Sequence, residues 1–359
     1  MSDLRVLIRL PTWLGDSVMC TPALDNLRRH LPAAKFVVLG SPSALQMFLH
    51  DPRCDALVPE TTKSQRLRYV RLARLGRAVA REHGPFDLAF TFKNSLSARW
   101  LLLAAGPSRR IGAVAAWHDI LLTDAILCGR ENHCVERYNQ IVNGFLGSHD
   151  EPGPLSLRVR ERRHFSRPAA GIAPGAAFGS AKRWDAVRFA QVAVALGRQF
   201  HIVILGGPKE RALAETIERA LRQAGITNYR NLTGQSVADM LSTIAGLTLY
   251  IGNDSGTTHI ASALGVPAVV IFGSTSPRYS GPWQHPASRV VQRGVPCAPC
   301  NQRVCPLKHH ACMKGISVRD VLDAASAVVA TARLQEANRS PQDVEDREAI
   351  GGLPTSAAC

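Results

Sequence analysis

Short apolar runs rich in β-branched residues alternate with longer amphipathic stretches along most of the chain, and this alternation restricts the folds open to it. The runs over 202–205 and 269–272 are apolar throughout, which is typical of strands that helices cover on both faces of a parallel sheet. At 359 residues the chain is long enough for two domains. The pattern therefore predicts an α/β protein with βαβ units and parallel sheets.

The predicted elements fall into two similar halves. The predicted strands are Arg5–Leu10, Phe36–Gly40, Leu88–Phe92, Gly171–Ala173, His201–Gly206, Thr248–Gly252 and Ala268–Phe272. The predicted helices are Ser17–His30, Ser43–His50, Arg66–His83, Ser95–Leu103, Cys134–Phe145, Val187–Gln199, Glu210–Gln223, Val237–Ala245, Thr257–Leu264 and Val318–Ala332. A proline-containing, charged stretch over 151–170 predicts a linker between domains at 1–155 and 165–334, and the polar tail over 335–359 is expected to be disordered.

Composition excludes several classes of protein. Hydrophobic residues make up 46% of the chain, which excludes general disorder, and only 6% are aromatic, which disfavours nucleic-acid binding by base stacking. Nine cysteines are too few for a disulfide scaffold and fit a reducing cytosol. No apolar run reaches the roughly 18 residues of a membrane span, and the N-terminal run is too short for a signal peptide. We therefore expect a cytoplasmic protein whose net charge of +15 favours anionic membranes or acidic substrates.

The first candidate site follows the first predicted strand, where open α/β sheets bind ligands. The segment 11–17 contains Gly15, which allows close approach of the backbone, and Asp16, whose carboxylate is placed to project into a cleft. Alternatively, Asp16 or Ser17 only caps the following helix.

Three further candidate segments follow strands of the second half. The glycine-containing loop over 174–184 carries Gly175, Lys182 and Arg183, which suits a diphosphate, although Lys182 is equally compatible with a solvated surface position. Gly206 and Glu210 belong to a βα turn that either cups part of a nucleotide or only closes the turn.

The third of these segments runs from Asn253 to His259 and opens a predicted helix. Backbone N–H groups at such a position favour phosphate, and the residues concerned are Asn253, Asp254, Ser255, Gly256 and Thr257. Asp254 and Ser255 are also helix-capping types, and His259 is as easily a packing residue as a ligand-binding one.

Four cysteines lie close together near the end of the second half. Cys297, Cys300, Cys305 and Cys312 have a spacing compatible with a structural zinc site, free or redox-active thiols, or disulfides.

A basic stretch over 63–81 contains Arg66, Arg74 and Arg77 and no acidic residue. It predicts either a solvated helix or a contact surface for a phosphorylated, membrane-held substrate.

Taken in order, these motifs resemble glycosyltransferase family 9, the ADP-heptose:lipopolysaccharide heptosyltransferases, over roughly residues 4–333. The resemblance lies in the Trp13–Asp16 segment, the loop over 174–184, the Asn253-Asp254-Ser255-Gly256-x-x-His259 motif and the segment over 272–277. Ala177 and Asp185 depart from the residues that are usual in the family. The resemblance implies a GT-B fold, with two Rossmann-like domains whose parallel sheets face a central cleft.

The resemblance also implies an inverting transfer of heptose from ADP-heptose to a phosphorylated lipid A–Kdo acceptor at the cytoplasmic face of the inner membrane. By resemblance, Asp16 is the general base, and Lys182 meets the departing ADP with help from Arg183 and the helix start at 255–257. Asp254 and His259 are expected to bind donor hydroxyls or phosphate. No metal is required for the transfer, and no nucleic-acid partner is expected.

Three other functions remain open from the sequence. Two of them are another family 9 transferase with a different acceptor or donor, and a nucleotide-sugar epimerase with the GT-B fold. The third is a zinc-dependent nucleic-acid-binding protein, which the net charge of +15 and the four cysteines favour, whereas the few aromatic residues and the two Rossmann-like halves count against it.

Overall fold

The computed structural model describes residues 4–337, which form two compact units that divide between Leu157 and Arg158. This division lies inside the stretch predicted to be a linker. In the first unit the strands are β1 (Arg5–Arg9), β2 (Lys35–Gly40), β3 (Ala56–Pro59), β4 (Leu88–Thr91), β5 (Arg109–Ala113) and β6 (Asp124–Ile126). Its helices are α1 (Leu14–Met19), α2 (Thr21–His30), α3 (Pro42–Leu45), α4 (Arg68–His83), α5 (Leu96–Ala105) and α6 (Cys134–Leu146).

The second unit repeats this alternation. Its strands are β7 (Ala169–Ala173), β8 (His201–Ile204), β9 (Tyr229–Asn231), β10 (Leu249–Asn253), β11 (Ala268–Phe272) and β12 (Ser288–Gln292). Its helices are α7 (Ala186–Leu196), α8 (Arg211–Gln223), α9 (Val237–Ala245), α10 (Gly256–Ala263), α11 (Pro277–Ser280), α12 (Ala311–Lys314) and α13 (Val318–Ala337).

Each unit contains one parallel six-stranded sheet. The strand orders are β3-β2-β1-β4-β5-β6 and β12-β11-β10-β7-β8-β9, and every described pairing is parallel. In both units the chain order reverses beside the first strand, between β1 and β4 and between β7 and β10. Loops after the strands on either side of such a switch point diverge and leave a crevice at the carboxyl edge, where ligands bind. Both units therefore have the Rossmann-like architecture predicted for the GT-B class.

The buried residues of the central strands explain why these segments form strands. All five residues of β10 and β11 are buried, as are all five of β7. Such continuous burial requires helices on both faces of the sheet and agrees with the uninterrupted apolar runs in the sequence. In the second unit, Trp184, Phe189 and Ile316 belong to the same core cluster as these strands.

The predicted helix boundaries require three corrections. The predicted helix over 17–30 is two helices, α1 and α2, which meet at Cys20, two residues before Pro22, because proline lacks the N–H group that would continue the first helix. The predicted helix over 43–50 is the short α3 followed by a 3₁₀ turn over Gln46–Phe48. Helix α4 begins at Arg68 rather than Arg66, since Leu67 before it is left-handed with φ of 55°.

The C-terminal helix extends further than expected. Helix α13 continues to Ala337, so residues 335–337 of the predicted disordered tail are helical. The rest of that tail, 338–359, lies outside the described residues.

Asp185, which departs from the residue usual in family 9, has a structural role. Its carboxylate accepts a hydrogen bond from Val187 N and caps α7.

Candidate functional site

Two loops of the second unit meet at the switch point between β7 and β10. The Asn253 side chain joins them: its amide donates to Pro174 O at 2.8 Å, and its carbonyl accepts from Trp184 N at 3.0 Å. Asn253 has no exposed surface. The Asn253 side chain therefore fixes the loop over 174–184, and its predicted part in donor binding stays a prediction.

An ion pair links the two loops in the same crevice. Lys182 Nζ lies 2.5 Å from Asp254 Oδ2, and the Thr275 hydroxyl donates to the same oxygen at 2.6 Å. The Lys182 ammonium also lies 4.9 Å from the centre of the Phe178 ring. The sequence motifs predicted both charged residues, and the structure shows that Asp254 holds Lys182 at the carboxyl edge.

Glu210 lies in the loop after β8, at the same carboxyl edge of the sheet. Its carboxylate accepts a hydrogen bond from Gly207 N at 2.7 Å. It lies so close to Gly175 that a Cβ atom at this position would stand 1.7 Å from Glu210 Oε1. A side chain at position 175 would therefore force the Glu210 carboxylate to move. Three predicted residues, Gly175, Gly206 and Glu210, therefore lie close together in the structure.

Hydroxyl groups surround the start of α10. The Ser255 and Thr257 hydroxyl oxygens are 2.9 Å apart, and Thr257 also bonds the buried Tyr250 hydroxyl at 2.6 Å. Gly256 is the first residue of the eight-residue α10, and His259 is buried within it with only 3% of its surface exposed. Arg183 points back to its own loop, where its guanidinium donates to Ala176 O at 3.3 Å.

The cysteine-containing segment over 297–312 supports the Lys182 loop. Ala181 N donates to Arg303 O at 3.0 Å, and His310 Nε2 lies 3.0 Å from Ala181 O. The Arg303 guanidinium lies 5.3 Å from the centre of the Phe178 ring. This segment therefore sets the position of the loop that carries Lys182.

The four cysteines predicted as zinc ligands are Cys297, Cys300, Cys305 and Cys312, and they are free thiols in the structure. Within residues 4–337, no three His, Cys, Asp or Glu side chains are grouped so as to hold a metal ion. The structural zinc stays a prediction, and we assign no step to a metal.

The first unit contains a cavity of about 270 Å³ at the carboxyl ends of β1, β4 and β5. Asp16 lines it from the first turn of α1, as the sequence predicted for this strand end. One face of α6 also lines it, through Cys134, Arg137, Tyr138 and Ile141. The cavity approaches the size of small-molecule pockets and can accept a sugar unit.

Sequence reasoning missed the cations of this cavity, which are Lys93, Arg99 and Arg137. Arg99 has no exposed side-chain surface, and its guanidinium donates to Asn94 Oδ1 and Ala113 O and pairs with Asp119. Burial lowers the pKa of Lys93 to about 8, with a further contribution from the nearby Arg9. A lysine directly after a strand end was the only signal in the sequence that pointed to this position.

A buried ion pair between Arg9 and Glu60 lies near Lys93. Arg9 Nη2 and Glu60 Oε2 are 3.0 Å apart, and both side chains are about 95% buried or more. Burial alone would raise the pKa of Glu60, but hydrogen bonds from Thr62 and the charge of Arg9 outweigh it and lower that pKa. This pair fixes the ends of β1 and β3 on the same edge as the cavity.

The basic residues predicted to face a membrane are solvent-exposed. Arg74 and Arg77 lie on the exposed side of α4, whereas Arg66 precedes the helix. Exposed apolar side chains accompany them, with Leu67 74% exposed and Tyr69 45% exposed. None of the helices over 4–337 is long and apolar enough to span a bilayer.

Comparisons with known proteins identify the family to which this chain is similar. Residues 72–311 match the model of glycosyltransferase family 9 (heptosyltransferase). The chain is 30% identical to lipooligosaccharide heptosyltransferase 2 of Campylobacter jejuni over 341 residues, which are 92% of this chain and 100% of that protein. It is 28% identical to lipopolysaccharide heptosyltransferase 2 of Escherichia coli over 80% of this chain and 88% of that protein.

The fold has a solved counterpart. The structure of E. coli ADP-heptose LPS heptosyltransferase II superimposes with a TM-score of 0.79 and 24% identity, covering 92% of this chain and 100% of that one.

Proposed function

Because the chain belongs to glycosyltransferase family 9, the heptosyltransferases, we propose that it transfers heptose from ADP-heptose to the inner core of lipopolysaccharide. It is a glycosyltransferase, and its full-length similarity to proteins named heptosyltransferase 2 supports this acceptor class. The observation that carries the proposal is the pairing of Lys182 with Asp254 at the switch point of the second unit, since a cation fixed there meets a diphosphate.

Each unit supplies one part of the proposed reaction. Asp16 takes the proton from the attacking acceptor hydroxyl, which forms a bond to the anomeric carbon of heptose while the bond to ADP breaks on the opposite face. Lys182, the Arg183 side chain and the hydroxyl groups at the start of α10 stabilise the negative charge of the leaving ADP. This chemistry requires no covalent intermediate on the protein.

Calorimetric titration with ADP and UDP, without added metal, tests the proposed donor. We expect micromolar affinity for ADP and little affinity for UDP. Preference for UDP would redirect the assignment to a nucleotide-sugar epimerase or to another donor. A transfer assay with ADP-heptose and heptose-deficient inner-core acceptor then tests the acceptor.

We further propose that the first unit contacts the anionic surface of the inner membrane from its cytoplasmic side. The exposed Arg66, Arg74 and Arg77 supply positive charge, and the exposed Leu67 and Tyr69 add apolar area beside them. Sedimentation with vesicles of anionic lipid tests this contact. Charge reversal of Arg74 and Arg77 should weaken it, and unchanged binding would remove the assignment.

A further inference from the structure

We propose that Lys93 and Arg137 form an anion-binding subsite that holds a carboxylate or phosphate of the acceptor beside Asp16. The inference rests on the proposed transferase function and specifies the chemistry that its acceptor must carry. Both side chains line the cavity of the first unit together with Asp16.

The cavity has an excess of positive charge. Of the residues that line it, Lys93, Arg99 and Arg137 are cationic, and Asp16 alone is acidic. Arg99 is already paired with Asp119 outside the lining. The two other cations remain to attract an anion into a small, partly enclosed space.

Lys93 and Arg137 have no acidic partner of their own. Among residues 4–337, no hydrogen bond or ion pair within 4.0 Å engages either charged group, and the buried Arg137 Nε has no hydrogen-bond partner. Arg9 and Arg99, which are buried nearby, are both paired with carboxylates. Lys93 and Arg137 are partly buried, so an anion from the substrate would complete this arrangement by pairing with cations that are partly withdrawn from water.

The local structure holds both groups in place. The Thr91 hydroxyl donates to Lys93 O at 2.9 Å and accepts from Lys93 N at 3.2 Å, which shapes the turn after β4. Arg137 lies in the first turn of α6, whose start is fixed by the capping interaction of Glu136 with His133 N at 2.7 Å. A subsite built on such fixed elements positions a substrate rather than only attracting it.

Steady-state transfer by the full-length enzyme tests the subsite with the variants Lys93→Gln and Arg137→Gln. Each should raise the KM for an acidic acceptor by about 10- to 100-fold, because each removes a charged hydrogen-bond donor. ADP affinity should not change, since donor residues lie in the other unit. Arg29→Gln is the matched control, because this α2 arginine is 62% exposed and lies outside the cavity.

Three acceptors distinguish the source of the anion. The first carries both the Kdo carboxylates and the phosphates, the second has its carboxylates converted to methyl esters, and the third is dephosphorylated. If the subsite holds a carboxylate, the variants lose nothing further on the ester, and if it holds a phosphate, they lose nothing further on the dephosphorylated acceptor. Equal losses on all three acceptors, or no loss on any, would overturn the proposal.

Rescue and direct binding keep the test independent of folding and of the transferase assay. Lys93→Arg should restore the KM that Lys93→Gln loses, whereas a merely structural defect would persist. Titration with free Kdo and with inorganic phosphate measures the subsite even where no transfer is seen. If ADP binds but no acceptor is used, the proposed function fails, and if neither anion binds the wild type more tightly than the two variants, the subsite fails.

Discussion

Lys182 Nζ and Asp254 Oδ2 lie 2.5 Å apart although the two residues are separated by 72 positions in the chain. The pair spans the switch point, because one residue follows β7 and the other follows β10. Asp254 therefore aims the ammonium at the crevice. In the proposed reaction, the diphosphate of the donor would meet a cation whose position is already set.

Replacing Lys182 with alanine should weaken ADP binding by about 10- to 100-fold and slow transfer, because a charged contact to the diphosphate is lost. AMP, which lacks the second phosphate, should lose less affinity. Calorimetry with both nucleotides measures this difference. Lys314→Ala removes an exposed lysine of the same unit and should change neither affinity, and an unaltered ADP affinity in Lys182→Ala would dismiss Lys182 as a ligand.

Replacing Asp16 with asparagine should preserve ADP binding and reduce transfer by at least about 100-fold, in the range of a general-base contribution. The amide keeps the shape of the carboxylate in the cavity but cannot accept the proton of the acceptor hydroxyl. Single-turnover transfer at saturating acceptor isolates this step. Transfer near the wild-type rate would rule out the base role.

Central strands were predictable and edge strands were not, for a physical reason. Strands such as β10 and β11 are wholly buried, so their sequences are continuously apolar and stand out. The missed β3, β6, β9 and β12 are the edges of the two sheets, and all of their residues are partly exposed. The missed β5 lies next to an edge and begins with two arginines.

The residues of the candidate site also fall into those that the sequence predicted and those that it did not. Local motifs predicted Asp16, Lys182 and Asp254, because a strand end followed by a glycine-containing loop is visible in sequence. Lys93 follows a strand, and Arg137 lies within a helix 44 positions later, and neither belongs to such a motif. Only the fold brings the two residues to one cavity. The sequence did not reveal that three backbone groups bond the Asn253 side-chain amide, so its part in fixing the loop over 174–184 was visible only in the structure.

Acceptor binding should depend on pH through Lys93. Burial and the neighbouring Arg9 bring its pKa to about 8, so the cation is present below that pH and is lost above it. The other charged groups that act on it are Glu60, Arg68 and Lys63. The KM for an acidic acceptor should therefore rise above pH 8 in the wild type. Lys93→Arg should shift this rise beyond pH 9, since arginine stays protonated, and identical profiles for the two proteins would contradict the assignment.

Adding a side chain at Gly179 should displace the Lys182 loop. A Cβ atom there would lie 2.1 Å from Arg303 O, a backbone atom of the cysteine-containing segment. Gly179→Ala should weaken ADP binding and increase hydrogen exchange over 297–312. Gly294→Ala is the control, because no atom lies within 4 Å of a Cβ at that glycine. Unchanged exchange in Gly179→Ala would show that the segment does not support the loop.

Breaking the buried pair of Arg9 and Glu60 should destabilise the first unit. Glu60→Gln should cost about 3–5 kcal/mol of unfolding free energy, because Arg9 is left as an uncompensated buried charge. The lowered pKa of Glu60 means that its contribution is present above its unfolded pKa of about 4.3 and is lost as pH falls through the folded value. Urea unfolding from pH 7 to pH 3 should therefore show a smaller acid-induced loss in Glu60→Gln than in the wild type. Glu82→Gln, at a residue whose side chain is 74% exposed, should retain the wild-type profile, whereas an unchanged acid loss in Glu60→Gln would contradict the predicted coupling.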